Sequence, residues 1–334
     1  FGAGNLIFPP QLGLNSGSDF LSGLAGLTLS GIFLPIFTLI VIGLNGDVHS
    51  ITERVGKNTY NVLLAALMLV CTFVSIPRTC ATAIQLGIQG NLPAAPFIPL
   101  VIAYFVISFF FVADQNNVMD RMGKYLTPLL ALILVIVAFV GIFNPLGTPV
   151  APAVDHPFVN AFLGGYNTGD VLVSFIMAAV FISSIYGTWV MVPMGIPVVL
   201  ACLTTAIGQI AAVAEFTSTA TGNRISYKQV AVACCILSAL TALLGVDGIV
   251  TYIGWIFGVC YPPCLALLVL GIIGRFMPNN GAYKGSVYLV TLFALLESLP
   301  GLSSLGFAKA IVAATPLSTY GFGWIVPFII GLIG

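Results

Sequence analysis

Charged residues are scarce in this sequence. Its 334 residues include 10 lysines and arginines and 10 aspartates and glutamates, so only 6% are charged and the formal net charge is zero. Soluble domains carry about 25% charged residues. The shortage excludes an ordinary soluble domain, and the lack of net positive charge gives no support to a nucleic-acid-binding protein.

The residue types that build enzyme active sites are also few or scattered. The two histidines, His49 and His156, are predicted to lie in loops. The sequence has no His/Cys cluster at metal-ligand spacing, no nucleophile elbow and no Walker A loop. Its seven cysteines form no Cys-x-x-Cys pair and lie in apolar runs, so we interpret them as small core residues. The sequence therefore predicts neither an enzyme, nor a cofactor, nor a nucleotide-driven pump.

Apolar runs are what the sequence has in abundance. Hydrophobic residues make up 59% of the chain, and the mean hydropathy is +1.11. A helix needs about 20 apolar residues to cross a bilayer, and such runs recur without the alternation typical of β-barrel strands. We predict an all-α polytopic protein embedded in a lipid bilayer. The predicted spans are residues 20–44, 61–88, 97–112, 127–143, 171–186, 196–216, 230–244, 249–273, 286–296 and 320–333.

The basic loops predict the orientation of the first half. The loop with Arg54 and the loop with Arg121 lie two spans apart, so the positive-inside rule places both in the cytoplasm. The connection at residues 144–169 has no lysine or arginine and is predicted to be external. After this connection the rule fails, because the number of predicted spans places the basic loop with Arg224 outside the cytoplasm.

One more span near residues 184–194 restores the rule. That connection carries no charged residue, and we predict that a loop and a span are missing from the sequence there. A re-entrant segment at residues 184–197, or a chain that breaks the rule, is the alternative.

The first ten residues interrupt an apolar stretch with glycines, an amide and a double proline. Gly2 and Gly4 favour unwinding, whereas Pro9 and Pro10 lack the N–H that a helix needs. Irregular backbone at membrane depth survives only inside protein or beside a wet cavity, and discontinuous helices mark the substrate sites of transporters. We predict a broken helix whose free backbone groups bind a carboxylate or a cation. A loop before the first span, or a proline-kinked helix, is the alternative.

Five motifs resemble those of one family of bacterial carriers. They are Gly2-Ala3-Gly4-Asn5-Leu6-Ile7-Phe8-Pro9-Pro10, Pro77-Arg78-Thr79, Gly165-Tyr166-Asn167-Thr168-Gly169-Asp170, Ala201-Cys202-Leu203-Thr204-Thr205-Ala206-Ile207-Gly208 and Tyr261-Pro262-Pro263-Cys264. In these stretches the chain resembles the branched-chain amino acid:cation symporter family of the amino acid–polyamine–cation superfamily. The resemblance covers essentially the whole chain, but the beginning of the family's first helix and its seventh helix have no counterpart.

The resemblance implies a leucine-transporter-like fold, with two inverted repeats of five helices and two extra helices. One transport domain would then occupy residues 1–334. Its parts would be the first repeat at residues 1–143, an external connection at 144–169, the second repeat at 170–274, less one span, and the two extra helices at 275–334.

The resemblance also implies a function. The expected activity is symport of leucine, isoleucine and valine with Na⁺ or H⁺ as coupling ion, by alternating access, in the bacterial cytoplasmic (inner) membrane. No obligate protein partner is expected. The alternatives are another amino acid or solute carrier of the superfamily, and a non-transporting membrane channel or scaffold.

The expected site residues follow from the matched positions. The backbone of Gly2, Ala3, Gly4 and Asn5 would bind the substrate carboxylate, and apolar side chains would form the pocket for the substrate side chain. The pocket candidates are Ile7, Phe175 and Met177, for which ordinary packing is the alternative.

The resemblance places a sodium site at Thr204 and Thr205, together with carbonyl oxygens of the first helix, because Na⁺ favours neutral oxygen ligands. Hydrogen bonding of the two hydroxyls to the preceding helical turn is the alternative. Asn5 and Ser174 resemble the positions of a second ion site. Gating or structural roles are predicted for Pro9, Pro10, Arg78 and Tyr261; a charge such as Arg78 inside a span is a functional candidate by default.

Overall fold

Helices and turns account for all the regular structure in the described part of the chain. The computed structural model describes residues 4–56, 58–90, 92–118, 122–126, 128–129, 132, 143, 150–166, 168–170, 172, 195–253, 255–274 and 280–333. The α-helices of this part are α1 (Gly4–Ser16), α2 (Phe20–Thr28), α3 (Leu34–Asn45), α4 (Val48–Glu53), α5 (Thr59–Val70), α6 (Ile76–Thr82), α7 (Phe97–Val112), α8 (Pro157–Tyr166), α9 (Gly195–Ala220), α10 (Tyr227–Ala242), α11 (Gly245–Ile253), α12 (Trp255–Ile273), α13 (Asn280–Ser298), α14 (Gly306–Ala314) and α15 (Ile325–Ile333). The all-helical prediction is confirmed.

Four continuous helical stretches in this part are long and apolar enough to cross a membrane. They are Gln11–Asn45, Thr59–Ile88, Val199–Ala220 and Trp255–Ile273. Helices α7 and α10 are apolar but shorter, with 16 residues each. These six stretches overlap six of the ten predicted spans.

Of the four remaining predicted spans, two coincide at least partly with described helices and two fall almost wholly outside the described residues. The span predicted at residues 286–296 lies inside α13, and α15 covers the second half of the span predicted at 320–333. The spans predicted at 127–143 and 171–186 fall almost wholly outside the described residues, and so does the segment at 184–194 where a loop and a span were predicted to be missing.

Two of the long helices contain a π-helical turn just before a proline. In the π-helical turn Cys71–Ser75, the Ile76 N–H donates to the carbonyl oxygen of Cys71, five residues earlier, and Pro77 follows. The same arrangement precedes Pro35. In a regular helix the proline ring clashes with the carbonyl four residues earlier, and a wider turn relieves this contact. The predicted break at Pro77 is therefore a local widening, and the helix continues.

Both double prolines lie inside helices. Pro9 and Pro10 lie in α1, and Pro262 and Pro263 lie in α12. The prediction of unwound backbone is wrong for Gly4 and Asn5, which are helical and belong to α1. A proline removes one hydrogen bond, but the bonds on either side still hold the helical path.

The helices form two compact units, made of the described residues of 1–18, 68–151 and 186–253 and of those of 19–67, 152–185 and 254–334. In the first unit α9 packs against α6, α7 and α10. Ile76, Ile207 and Ile210 are fully buried there. The core of this unit is therefore the contact between α9 and the helices around it.

Small residues allow close helix contacts in the second unit, where α2 packs on α8 and α13 packs on α15. A Cβ atom added to Gly26 would strike the Phe158 carbonyl oxygen, and one added to Gly165 would strike the Ser30 hydroxyl. In membrane proteins such small residues let helix backbones approach closely. The approach of α2 to α8 therefore depends on side chains no larger than serine.

Arg54 ties three segments of the second unit together. Its Nη1 atom donates to the Gly274 carbonyl oxygen at 2.7 Å, and its Nε atom donates to Asn280 Oδ1 at 2.9 Å. Its guanidinium carbon lies 4.8 Å from the centre of the Tyr283 ring. Because Gly274 directly follows α12, the guanidinium satisfies a carbonyl at the end of that helix. The charge predicted in a cytoplasmic loop therefore has a structural role.

Candidate substrate and ion site

Helix α1 offers free backbone carbonyls without unwinding. Because Pro9 and Pro10 have no N–H, the carbonyls of Asn5 and Leu6 lack a helical donor four residues later. These two carbonyl oxygens are candidate ligands for a cation.

Several predicted site residues lie where the structure gives no description. Gly2, Ala3, Ser174, Phe175 and Met177 are outside the described residues. For Asn5 and Ile7 the described part includes the helical backbone but not the side chains. The predicted apolar pocket and second ion site therefore stay predictions.

The two threonines of the predicted sodium site lie in helix α9 and share one acceptor. Thr204 Oγ1 donates to the Ala201 carbonyl oxygen at 3.0 Å, and Thr205 Oγ1 donates to the same oxygen at 2.8 Å. Both residues are half-buried. These are the bonds to the preceding turn that formed the alternative interpretation. Each hydroxyl oxygen keeps lone pairs after donating its proton, so the arrangement still supplies neutral oxygens for a cation.

Arg78 is buried in the first unit, among polar side chains of helix α6 and of the π-helical turn just before it. Only 4% of its surface is exposed, and Ser75, Thr79 and Thr82 are buried to a similar degree. The spacing of i, i+3, i+4 and i+7 places all four on one face of the helix. We call this set the α6 polar face.

Side chains from neighbouring helices bond to the α6 polar face. Gln209 of α9 donates from Nε2 to Ser75 Oγ at 2.8 Å. Tyr104 of α7 donates from its hydroxyl to Thr79 Oγ1 at 3.2 Å. Because buried polar groups stabilise a structure only when they are bonded, these contacts fix α6, α7 and α9 relative to one another.

Polar contacts continue at both ends of this face. Ser238 of α10 donates to the Thr72 carbonyl oxygen at 2.8 Å, and Gln85 Oε1 accepts from the Val246 N–H at 3.1 Å. Residues 72 to 85 span roughly 20 Å of helix at 1.5 Å per residue. The sequence predicted a role for Arg78 but not for its polar neighbours on this face. The signal for them is the helical spacing of polar residues within an apolar span.

Tyr261, predicted to have a gating role, lies in an aromatic cluster of the second unit. Its ring stacks on that of Tyr166, with centroids 4.3 Å apart and planes 28° apart. Tyr261 is 2% exposed, and its hydroxyl has no hydrogen-bond partner among the described residues. Phe162 lies one turn before Tyr166 on α8 and contacts Phe322, with ring centroids 5.2 Å apart. The structure thus brings together two of the motifs, those of residues 165–170 and 261–264.

The cysteines are small core residues, as the sequence predicted. All seven cysteines are free thiols; six are buried and Cys260 is half-buried. Within the described ranges, no group of three or more His, Cys, Asp and Glu residues could hold a metal ion. His49 Nδ1 and Glu53 Oε2 lie 3.9 Å apart on the surface of helix α4.

Two surface clefts lie away from the predicted site residues. One, of about 620 Å³, is lined by residues 220–222, 224 and 225, in the loop after α9. The other, of about 350 Å³, is lined by residues 113–115 and 226–228. Neither includes a predicted substrate or ion ligand.

Comparison with known proteins identifies related sequences along the whole chain. The family model described as "Branched-chain amino acid transport protein" matches residues 1–191 and 182–334. The two matches meet at residues 182–191, within the region where the parity of the spans failed. No solved structure matches the chain.

Curated relatives also align with nearly the whole chain. The chain is 24% identical to the branched-chain amino acid permease BraB of Bacillus subtilis, in an alignment of 406 positions covering 100% of this chain and 91% of that protein. It is 25% identical to the branched-chain amino acid transport system 2 carrier protein of Pseudomonas aeruginosa, covering 99% and 91%. It is 27% identical to a putative branched-chain amino acid carrier protein of Staphylococcus saprophyticus, covering 100% and 93%.

These comparisons bear on two of the predictions. The relatives are named permeases and carriers, which confirms that the chain is of a transporter type and not an enzyme. The alignment with BraB has 406 positions against 334 residues, so at least 72 positions have no counterpart in this chain. This difference agrees with a missing internal segment.

Proposed function

This chain belongs to the family of branched-chain amino acid transport proteins, and on that premise we propose that it carries leucine, isoleucine and valine across a membrane, coupled to Na⁺ or H⁺. The observation that carries the proposal is the match of the family model along the whole chain, together with apolar helices of membrane-spanning length. The relatives occur in bacteria, and we assign the protein to the bacterial cytoplasmic membrane as a multi-pass carrier.

The proposed mechanism is alternating access in a leucine-transporter-like fold with inverted repeats. Helices α6 and α7 come from the predicted first repeat, and α9 and α10 come from the predicted second repeat. Their packing in one unit supports this arrangement, because inverted-repeat carriers build their sites where the repeats meet. The proposed transport domain spans residues 1–334.

The proposed substrate site includes the glycine-rich beginning of the chain. The backbone of Gly2, Ala3, Gly4 and Asn5 is proposed to bind the carboxylate of the amino acid. Apolar side chains then surround the aliphatic side chain of the substrate, as proposed for Ile7, Phe175 and Met177.

The proposed coupling ion is sodium, bound by neutral oxygens. The hydroxyls of Thr204 and Thr205 both lie within hydrogen-bond distance of the Ala201 carbonyl oxygen. Oxygen ligands without charge suit a hard monovalent cation that must leave again in each cycle. A second sodium site at Asn5 and Ser174 belongs to the same proposal, and proton coupling is the alternative.

A channel is the competing function from another class, because the α6 polar face runs along a membrane-spanning helix. Ser75, Thr79, Thr82 and Gln209 are each at most 6% exposed. In the part of the chain that the structure describes, this face is sealed by packing and not open to water. The observation therefore favours a carrier.

Uptake into proteoliposomes tests the proposal. Purified protein is reconstituted, and uptake of radiolabelled leucine is measured with an inward sodium gradient, with choline in place of sodium, and with an inward proton gradient. Sodium-stimulated uptake that excess valine or isoleucine abolishes is the expected result. Proton-driven uptake would keep the substrate and contradict the sodium site. No uptake under either gradient, with the Bacillus subtilis permease active in parallel vesicles, would overturn the proposed function.

A further inference from the structure

Gln209 has a completely buried side-chain amide in which the nitrogen is hydrogen-bonded and the oxygen is not. It is 0% exposed and lies in the middle of α9. Its Nε2 atom donates to Ser75 Oγ at 2.8 Å, whereas its Oε1 atom has no hydrogen-bond partner among the described residues. An amide oxygen has two acceptor sites, and a buried acceptor without a donor is unfavourable. A buried acceptor without a donor inside an apolar span indicates a ligand that supplies the donor in another state of the protein.

The surroundings of Gln209 show which side chains a ligand would meet. Gln209 contacts Ser75, which lies on the α6 polar face three residues before Arg78. Thr205 precedes Gln209 by four residues and lies on a neighbouring part of the same face of α9.

The proposed substrate has one group that can donate to Oε1. The ammonium group of a branched-chain amino acid supplies N–H donors, whereas its carboxylate and its aliphatic side chain supply none. The coupling cation is the competing ligand for a neutral amide oxygen, and the sodium dependence of leucine binding distinguishes the two.

We infer that Gln209 Oε1 accepts a hydrogen bond from the α-ammonium group of the transported amino acid, and that Gln209 selects amino acids over carboxylic acids of the same shape. This assignment rests on the proposed function and adds to it a recognition residue on α9. In the described structure the contact between α6 and α9 is closed, so binding belongs to a state in which the carrier has opened this contact.

A ligand lacking the ammonium group tests the assignment. 4-Methylpentanoate has the carboxylate and the branched chain of leucine but no nitrogen. Binding of both ligands to purified protein in nanodiscs is measured by equilibrium dialysis, for the wild type and for Gln209→Met, which keeps the length of the side chain and removes its oxygen. We expect the affinity for leucine to fall about 10- to 100-fold, the usual worth of a hydrogen bond to a charged group, and the affinity for 4-methylpentanoate to stay within about twofold.

Two further variants separate recognition from packing. Gln209→Glu keeps an acceptor for the ammonium group and is expected to retain preference for leucine over 4-methylpentanoate. Ser75→Ala removes the partner of Nε2 but leaves Oε1, so it should also retain this preference. Loss of the preference in Ser75→Ala equal to that in Gln209→Met would overturn the assignment.

The outcomes also distinguish this assignment from the proposed function. Equal loss of affinity for both ligands in Gln209→Met would show a packing role and overturn the assignment alone. A shift only in the sodium concentration for half-maximal leucine binding would place Gln209 at the ion and also overturn it. A wild-type protein that binds no branched-chain amino acid would overturn the proposed function itself and this assignment with it.

Discussion

The ring of Tyr261 lies face to face with the ring of Tyr166, 4.3 Å away between centroids. The first belongs to the Tyr-Pro-Pro motif inside α12, and the second ends helix α8. Stacked aromatic pairs contribute about 0.5–1.5 kcal/mol beyond the burial of their surfaces. The stack therefore gives this motif a structural role in the second unit, whatever its role in transport.

Tyr261 variants should separate the ring from the hydroxyl. Tyr261→Ala removes a ring that is 2% exposed and should lower the free energy of unfolding by about 3–5 kcal/mol. Tyr261→Phe should change it by less than about 0.5 kcal/mol, because the hydroxyl has no partner among the described residues. Thermal unfolding in detergent measures both. A large loss in Tyr261→Phe would mean that the hydroxyl is bonded.

The contact between α2 and α8 predicts a sensitive glycine. A Cβ atom at position 165 collides with the Ser30 side chain, so Gly165→Ala should cost about 1–3 kcal/mol of unfolding free energy through overpacking. Adding Ser30→Gly should restore part of the loss, because it removes the colliding atoms. Gly13→Ala is the matched control, since no atom lies within 4 Å of its added Cβ. Equal effects of Gly165→Ala and Gly13→Ala would contradict the close contact.

Much of the fold was predictable because hydrophobicity at spanning length is a local property. The first predicted span illustrates the limit, since it was placed at residues 20–44 whereas the helical stretch begins at Gln11. A 3₁₀ turn joins α1 to α2 near Asp19, and the Ser18 N–H donates to the Val150 carbonyl oxygen at 2.7 Å. A bond between residues so far apart in sequence cannot be read from local pattern.

The candidate site was less predictable, for two physical reasons. Pro9 and Pro10 indicated a broken helix, but a helix tolerates the loss of two hydrogen bonds when the bonds on either side are intact, as also at Pro262 and Pro263. The sequence also contains no local sign that Gln209 is important. Its importance comes from Ser75, 134 positions away in sequence, and from burial that only packing reveals.

The short helix α4 predicts a pH-dependent local stability. Asp47 is its N-cap and accepts from the Ser50 N–H at 2.7 Å and from the Ser50 hydroxyl at 2.6 Å. The hydrogen bonds from Ser50 lower the pKa of Asp47 below its ordinary value of 3.8. A lowered pKa in the folded state means that the stabilisation is complete above the ordinary value and is lost as the pH falls through the folded-state pKa.

Substituting the cap should therefore matter at neutral pH and not in acid. At pH 7 Asp47→Ala should increase hydrogen exchange of the Val48–Glu53 amides by about fivefold, since a lost N-cap costs about 1 kcal/mol. The difference from the wild type should shrink as the pH is lowered below about 3.8. Hydrogen exchange measured by mass spectrometry, corrected for intrinsic rates, gives both values. Asp47→Ser retains a capping oxygen without a charge and should remove the pH dependence while keeping most of the protection.

The two functions open to Thr205 make opposite predictions. Thr205→Val keeps the shape of the side chain and removes the hydroxyl that donates to Ala201. If the hydroxyl oxygen binds sodium, the sodium concentration for half-maximal leucine uptake should rise about tenfold, a loss of about 1.4 kcal/mol, while Thr205→Ser stays close to the wild type. If the hydroxyl only bonds to its own helix, Val is as good as Thr, because such bonds add little to helix stability. Unchanged sodium dependence in Thr205→Val, with normal leucine uptake, would therefore remove Thr205 from the ion site and leave Thr204 as the hydroxyl to test.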